Sequence, residues 1–184
     1  MGSSSSDVDK LSVWEYFELT ETTAPMELVY GIVREPPAPR YGHQSIVTRL
    51  TRLLDAHVDE RRLGRVCVSP VDVVLDQIDA LVVQPDIVFV SQERLAIIGD
   101  RIWGPPDLVV EVLSPRTAAR DRTTKVAWYR RYGVRECWLV DDRRRAIEVA
   151  DLQSVGVARL FVGADAMRSC VLPEWTLPAE QLFS

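Results

Sequence analysis

The chain reads as an α/β protein (α+β in its element order), a mixed central sheet flanked by helices. Three observations predict this. Helical periodicity runs through 43–62 and again through 117–132. The short segments 65–75, 81–90, 108–113 and 135–140 are apolar enough for strands. These helices and strands interleave along the chain, so helices must cover a sheet assembled from distant segments.

The elements follow in order. Leu11, Trp14, Phe17 and Glu18 suggest a short amphipathic helix, with Ser12 as N-cap and Glu15 three residues on, the spacing of a capping box. Leu28 to Val33 reads as a tight hairpin with Gly31 in its turn. Pro36, Pro37 and Pro39 break regular structure. From His43 to Arg62, Ile46, Val47, Leu50, Leu53, Leu54 and Val58 keep a helical period, and Gly64 ends it. Arg65 to Leu75 alternates like one strand, and 76–80 is a polar connection. Leu81 to Val90 is a second strand, interrupted by Pro85. Pro105 and Pro106 introduce a third, Leu108 to Leu113, whose continuous apolar run fits burial on both faces. Ser114-Pro115 stops it. The helix 117–132 follows, with Gly133 as its C-terminal signal, then the strand Arg135 to Val140. Segments 146–150 and 158–162 form a terminal meander, and 177–183 a last short helix around Pro178.

Length and composition set outer limits. The 184 residues suit one domain over 11–184, preceded by a disordered, Ser-rich tail over 1–10. The chain is 47% hydrophobic and 27% charged, and no apolar run is long enough to span a membrane. The start has neither a basic nor an apolar stretch, so it is not a secretory signal. Cys67, Cys137 and Cys170 share no metal-ligand spacing and read as buried thiols of a reducing cytoplasm. The net charge of −5 argues against a protein that coats nucleic acid with a broad basic surface, but it allows a local cleft. Arginines cluster at 61, 62 and 65, at 116, 120 and 122, at 130, 131 and 135, and at 143–145. Such clusters are either solvated faces or phosphate contacts.

The chemistry begins with charges out of place. Glu111 stands alone in Leu108-Val109-Val110-Glu111-Val112-Leu113. An ionised carboxylate in a buried strand is costly unless it is paired or bound to a metal. Asp86 stands directly before the apolar run 87–90. By itself it could cap a turn. Together, two carboxylates on neighbouring strands can converge on a hard divalent cation, which lowers the pKa of bound water and offsets charge on a phosphate. Lys125 is one of two lysines in a chain that otherwise uses arginine, the other being Lys10. It lies on the helix after Glu111 and can fold back over that strand. A surface pair with Asp121, one turn earlier, is the plain alternative. Tyr129 lies one turn later. Asp107 reads as a turn residue, Asp72 as facing either the cleft or solvent, and Trp128, Tyr132 and Trp138 as core.

These residues carry a resemblance. Pro85-Asp86, Pro106-Asp107-Leu108-Val109-Val110-Glu111-Val112-Leu113-Ser114-Pro115, Asp121, Lys125, Tyr129 and Gly133 to Asp141 resemble the core of the Uma2-like family (DUF820) of endonucleases. That family belongs to the restriction-endonuclease-like PD-(D/E)XK superfamily. Met26 to Gly31 resembles its Glu-containing hairpin, and His43 the histidine that opens its next helix. The match runs from about Leu11 to Asp151. The resemblance implies a restriction-endonuclease-like fold and a Mg²⁺ or Mn²⁺ site of Asp86 and Glu111, with Glu27 as a further acid at the metal. It also implies Lys125 as catalytic lysine and a catalytic part for His43. The superfamily's usual lysine position, two residues after the second acid, is Leu113 here. The implied activity is Mg²⁺-dependent hydrolysis of phosphodiester bonds in DNA by a cytoplasmic homodimer that does not engage a membrane. The alternatives are a nuclease-fold module with weak or no activity that binds nucleic acid or a protein, and a scaffold with Glu111 in an internal salt bridge.

Overall fold

A computed structural model of the chain describes residues 10–19, 25–115, 118–154, 156 and 158–184. The expected tail over 1–10 therefore lies outside the described residues, apart from Lys10. The first helix, α1 (Val13–Phe17), starts with the capping box read in the sequence, Ser12 and Glu15 each satisfying the other's backbone amide. The hairpin of β1 (Glu27–Val29) and β2 (Ile32–Arg34) turns through Tyr30 and Gly31, both at positive φ (52° and 85°). A two-residue turn of that hand needs this conformation at both positions. The long helix α2 (Tyr41–Arg61) ends in Arg62, which takes the left-handed conformation at φ 54°, two residues before the glycine expected to end it.

The single strand expected over 65–75 is two strands. β3 (Gly64–Val68) and β4 (Val73–Asp76) lie in different sheets, separated at Ser69-Pro70. Pro70 has no amide to continue a ladder, so the chain can change layers there. β5 (Leu81–Val83) and β6 (Ile87–Ser91) divide at Pro85 as the sequence suggests. After β7 (Ile102–Trp103) comes β8 (Leu108–Val112), buried along its whole length. The next helix is interrupted. α3 (Ala118–Arg120) passes into a π-helical turn over Asp121–Lys125 and then into α4 (Val126–Tyr132), which ends at Gly133 at φ 95°. The terminal strands are β9 (Glu136–Asp141), β10 (Ala146–Asp151), β11 (Arg159–Val162), β12 (Ala166–Arg168) and β13 (Thr176–Pro178), with a 3₁₀ turn over Ala179–Phe183.

The larger sheet has the order β11-β10-β9-β8-β6-β3, and β8 pairs parallel to β9 and antiparallel to β6. A smaller sheet, β2-β1-β5-β4-β7, lies behind it. Alternation along the strands sorts side chains between two layers. Leu108, Val110 and Val112, with Ile87 and Phe89, pack under Leu50, Leu54 and Val58 of α2 and under Trp175, Leu177 and Leu182. Val109 and Leu113, with Val88 and Val90, face the other way, against Trp128 and Tyr129 of α4 and Val73, Leu81 and Val83 of the small sheet. The far side of the small sheet takes α1 through Val13 and Tyr16. By this parity Glu111 belongs to the α4 layer.

Two further expectations are corrected. Cys67 and Cys170 are exposed, and only Cys137 is buried. Cys67 lies on β3, the edge of its sheet, where one flank is bare. Asp107 is no turn residue: fully buried, it accepts from the Ser91 amide and from Arg94 and Arg135 at 2.8, 3.1 and 3.1 Å, tying three segments together. Asp72 is half-buried and accepts from Gln84 and Arg101. In the C-terminal portion Val171, Leu172, Trp175 and Leu177 are core, whereas Leu160 is exposed. No helix of the described residues is long and apolar enough to cross a membrane.

Candidate active site

The antiparallel register of β6 and β8 pairs Ile87 with Val110, so one step further sets Asp86 beside Glu111. Both follow the parity of the α4 layer. Asp86 lies just outside β6, where its Oδ2 accepts the Val112 amide at 2.7 Å and lies 3.3 Å from His43 Nε2. His43 comes from the first turn of α2. Its Nδ1 is buried and has no protein partner among the described residues.

Glu111 meets the helix that follows it. Lys125 Nζ donates to its Oε1 at 2.9 Å, and the Tyr129 hydroxyl donates to the same oxygen. Lys125 also donates to Glu27 Oε1 at 2.9 Å, and Arg120 donates to Glu27 Oε2 at 2.9 Å. Glu27, Glu111 and Lys125 are only 1%, 5% and 6% exposed, so the surface pairing of Lys125 with Asp121 is not what the fold builds. The structure brings all five residues singled out in the sequence to one cleft of about 760 Å³, along with Gln84, Arg120 and Asp121. Arg40 and Arg143 line it as well.

Their electrostatics follow from burial and neighbours. Burial pushes the Glu111 carboxyl above the ordinary range, with the charges of Asp86 and Asp121 adding to the rise and Lys125 opposing it. Burial also works against charge on Lys125, but the carboxylates of Glu111, Glu27 and Asp121 prevail and hold it as an ammonium. At Glu27 burial raises the pKa, and Lys125 and Arg120 more than reverse it, so its net shift is downward. His43 loses basicity by burial and regains more from Asp86 and Glu111, so its pKa is raised. Burial lifts Tyr129 far above the usual phenol range, which keeps it a donor to Glu111.

Arg120 and Tyr129 were not singled out as site residues from the sequence. Five residues separate Arg120 from Lys125, which on an α-helix is about 140° of rotation. The π turn between them changes the hydrogen-bond step to i→i+5 and brings residues five apart toward one face. Tyr129 was legible in principle, lying four residues after Lys125.

The fit of a divalent cation can be judged from the donors. Among the described residues no three His, Cys, Asp or Glu side chains are grouped closely enough to hold an ion on their own. What the cleft offers is carboxylate oxygen from adjacent strands, the donor type of Mg²⁺ or Mn²⁺, ions that keep several waters. Five carboxylates line the cleft (Glu27, Asp86, Glu111, Asp121 and Asp142) against four Arg and Lys side chains (Arg40, Arg120, Lys125 and Arg143). The residues therefore fit a small hard dication.

A mixed sheet flanked by helices, with acids paired across neighbouring strands and a lysine brought over them by the next helix, places the protein in the restriction-endonuclease-like class. Within that class the chain belongs to the Uma2 family, whose model, described as a putative restriction endonuclease, matches residues 13–180. A solved structure from Anabaena variabilis, titled a putative nuclease belonging to DUF820, has the same fold. It superposes with a TM-score of 0.81 at 21% identity, over 94% of this chain and 97% of that one. No curated protein matches the sequence.

Proposed function

We propose that this protein is a phosphodiesterase that hydrolyses DNA with Mg²⁺ or Mn²⁺. The observation that carries the reading is a buried lysine clamped between two carboxylates, in a cleft where Asp86 lies beside Glu111. Asp86 and Glu111 would hold the metal, which when bound supplies Lewis acidity to phosphate and water. The protein's own groups supply the rest. Glu27 and Glu111 keep Lys125 charged, and a desolvated ammonium stabilises negative charge developing on an attacked phosphate. Tyr129 fixes one oxygen of Glu111. His43, through Nε2, and the Val112 amide fix Asp86. Arg40 and Arg143 give the acidic centre a basic rim for the flanking backbone. A homodimer would set two such clefts against the two strands of a duplex, and sedimentation tests that.

The second reading, a nuclease-fold module without cleavage, is favoured by how fully Lys125 is engaged. The experiment is calorimetric titration of Mn²⁺ and Mg²⁺ into the wild type, Asp86→Asn and Glu111→Gln, with parallel incubation of each with plasmid and single-stranded DNA. Metal binding and cutting that both substitutions abolish support the phosphodiesterase. Metal binding without cutting favours the module. A folded wild type that binds no metal, with or without DNA, makes Glu111 an architectural residue.

A further inference from the structure

We propose that Arg120 is a phosphate-binding residue of the cleft, and that Glu27 orients Arg120 and Lys125 together instead of ligating a metal. This rests on the phosphodiesterase reading above and departs from the expectation that Glu27 is a further metal ligand.

The acids of the cleft differ in what already holds them. Asp86 is held at one oxygen only among the described contacts, its Oδ2 meeting the Val112 amide and the His43 ring. Glu111 has both its described partners on Oε1. Glu27 is engaged at both oxygens by full positive charges: Oε1 by Lys125 at 2.9 Å, with the Gln84 amide at 3.5 Å, and Oε2 by Arg120 at 2.9 Å. A cation bound at Glu27 would share its two oxygens with an ammonium and a guanidinium, crowding like charges in a buried site. Of these three, Asp86 and Glu111 form a pair that can face a metal and Glu27 faces two cations.

Arg120 is placed for more than neutralising Glu27. Its side chain is 29% exposed where Glu27 is 1% exposed, and it lines the cleft. Its guanidinium carbon lies 5.4 Å from the centre of the Trp128 ring, so a flat aromatic face and a buried carboxylate fix its plane. A guanidinium has five donors in a fork that matches phosphate oxygens, and Glu27 takes one of them in a described bond. With Glu111 given over to a dication, Glu27 would face two cations, and the surplus charge would fall on Arg120, the more exposed of them. The π turn over Asp121–Lys125 is what lets Arg120 and Lys125 share this carboxylate. Helices carry such turns often at functional sites.

The test uses Glu27→Gln and Arg120→Gln in the full chain, with Asp86→Asn as the metal-site control and thermal melting to confirm folding. Mn²⁺ binding is read by calorimetry. Binding of a fluorescein-labelled DNA duplex is read by anisotropy in Ca²⁺ over a series of salt concentrations. Both glutamine variants are expected to keep Mn²⁺ binding where Asp86→Asn loses it; because Glu27 shares Lys125 with Glu111, Glu27→Gln should weaken it by no more than roughly tenfold. Arg120→Gln should weaken duplex binding roughly tenfold or more. It should also lower the slope of log K against log salt by about one, the signature of a lost phosphate contact that a structural role would not produce. A Glu27→Gln protein that loses Mn²⁺ as Asp86→Asn does makes Glu27 a ligand and overturns the proposal. So does an Arg120→Gln protein with wild-type duplex affinity and salt slope. Arg120 is partly exposed, so its variant decides the matter even if Glu27→Gln fails to fold. A wild type that binds neither Mn²⁺ nor DNA removes the phosphodiesterase reading first, and the proposal with it.

Discussion

Lys125→Met keeps the length and apolar stem of the side chain and removes its charge. Lys125 is 6% exposed and bridges Glu27 and Glu111, each at 2.9 Å and each almost fully buried. Removing one partner of a buried ion pair costs about 3–5 kcal/mol, because an uncompensated charge remains. In a chain of this length 1 kcal/mol moves the melting temperature by about 2–4 °C, so the fall should be roughly 6–20 °C. An exposed pair would cost at most about 1 kcal/mol and shift melting by less than about 4 °C. The partners should not be equal. Glu27 keeps Arg120 when Lys125 is gone, whereas Glu111 keeps only the Tyr129 hydroxyl among its described side-chain partners. In melting experiments on the metal-free protein, Lys125→Met/Glu111→Gln should therefore recover more of the loss than Lys125→Met/Glu27→Gln. A Lys125→Met protein that melts within about 3 °C of wild type refutes the argument that the fold leans on this lysine. Equal recovery in the two double variants refutes the ranking of its partners.

Other regions give sharper stability tests. Burial opposes the charge on Asp107, but the Ser91 amide, Arg135 and Arg94 prevail and hold its carboxyl below the usual range. A depressed folded pKa gives stability that is present above the unfolded value of about 3.8 and is lost as pH falls through the folded one. Melting of the wild type should therefore drop in that acid window, and Asp107→Asn should be less stable at neutral pH with a shallower acid loss. Trp138→Phe removes the indole N–H from the fully buried Glu136, which then retains the Cys170 amide. An unsatisfied buried acceptor costs about 1–3 kcal/mol, and denaturant titration should show it. Mn²⁺ at about 100 times its dissociation constant should stabilise the wild type by about 2.7 kcal/mol and leave Asp86→Asn unmoved, measured as a thermal shift.

The sequence was most readable where one local rule decided the outcome. The capping box at Ser12, the hairpin turn at Gly31, the period of α2 and the stop at Gly133 each depend on a few adjacent residues. It was misread where tertiary placement decided. The apolar run over 65–75 divides at Pro70 into an exposed edge strand and a strand buried at Val73, Val74 and Leu75, and nothing local says that the two halves serve different sheets. Asp107 looked like a turn residue because its prolines are in sequence, while its arginines arrive from 13 residues upstream and 28 downstream. At the site, Glu111 stands out because a carboxylate inside an apolar strand violates local consistency, and Asp86 because it opens an apolar strand beside it; such violations mark function.

Arg120 shows the limit of that rule. It sits among other arginines at a helix start, where a charged residue violates nothing, and α-helical spacing separates it from Lys125. Only the π turn, which is not written in hydrophobic periodicity, brings both to Glu27. The arrangement implies a division of labour that follows from charge alone. Acids whose described partners lie on one oxygen only, Asp86 and Glu111, stay available to a cation. The acid held at both oxygens by cations is the least favoured for a metal, so its natural use is to hold positive charge where a phosphate will arrive. Glu27 contributes to the chemistry, on this argument, by keeping Lys125 and Arg120 close together, which their mutual repulsion would otherwise prevent.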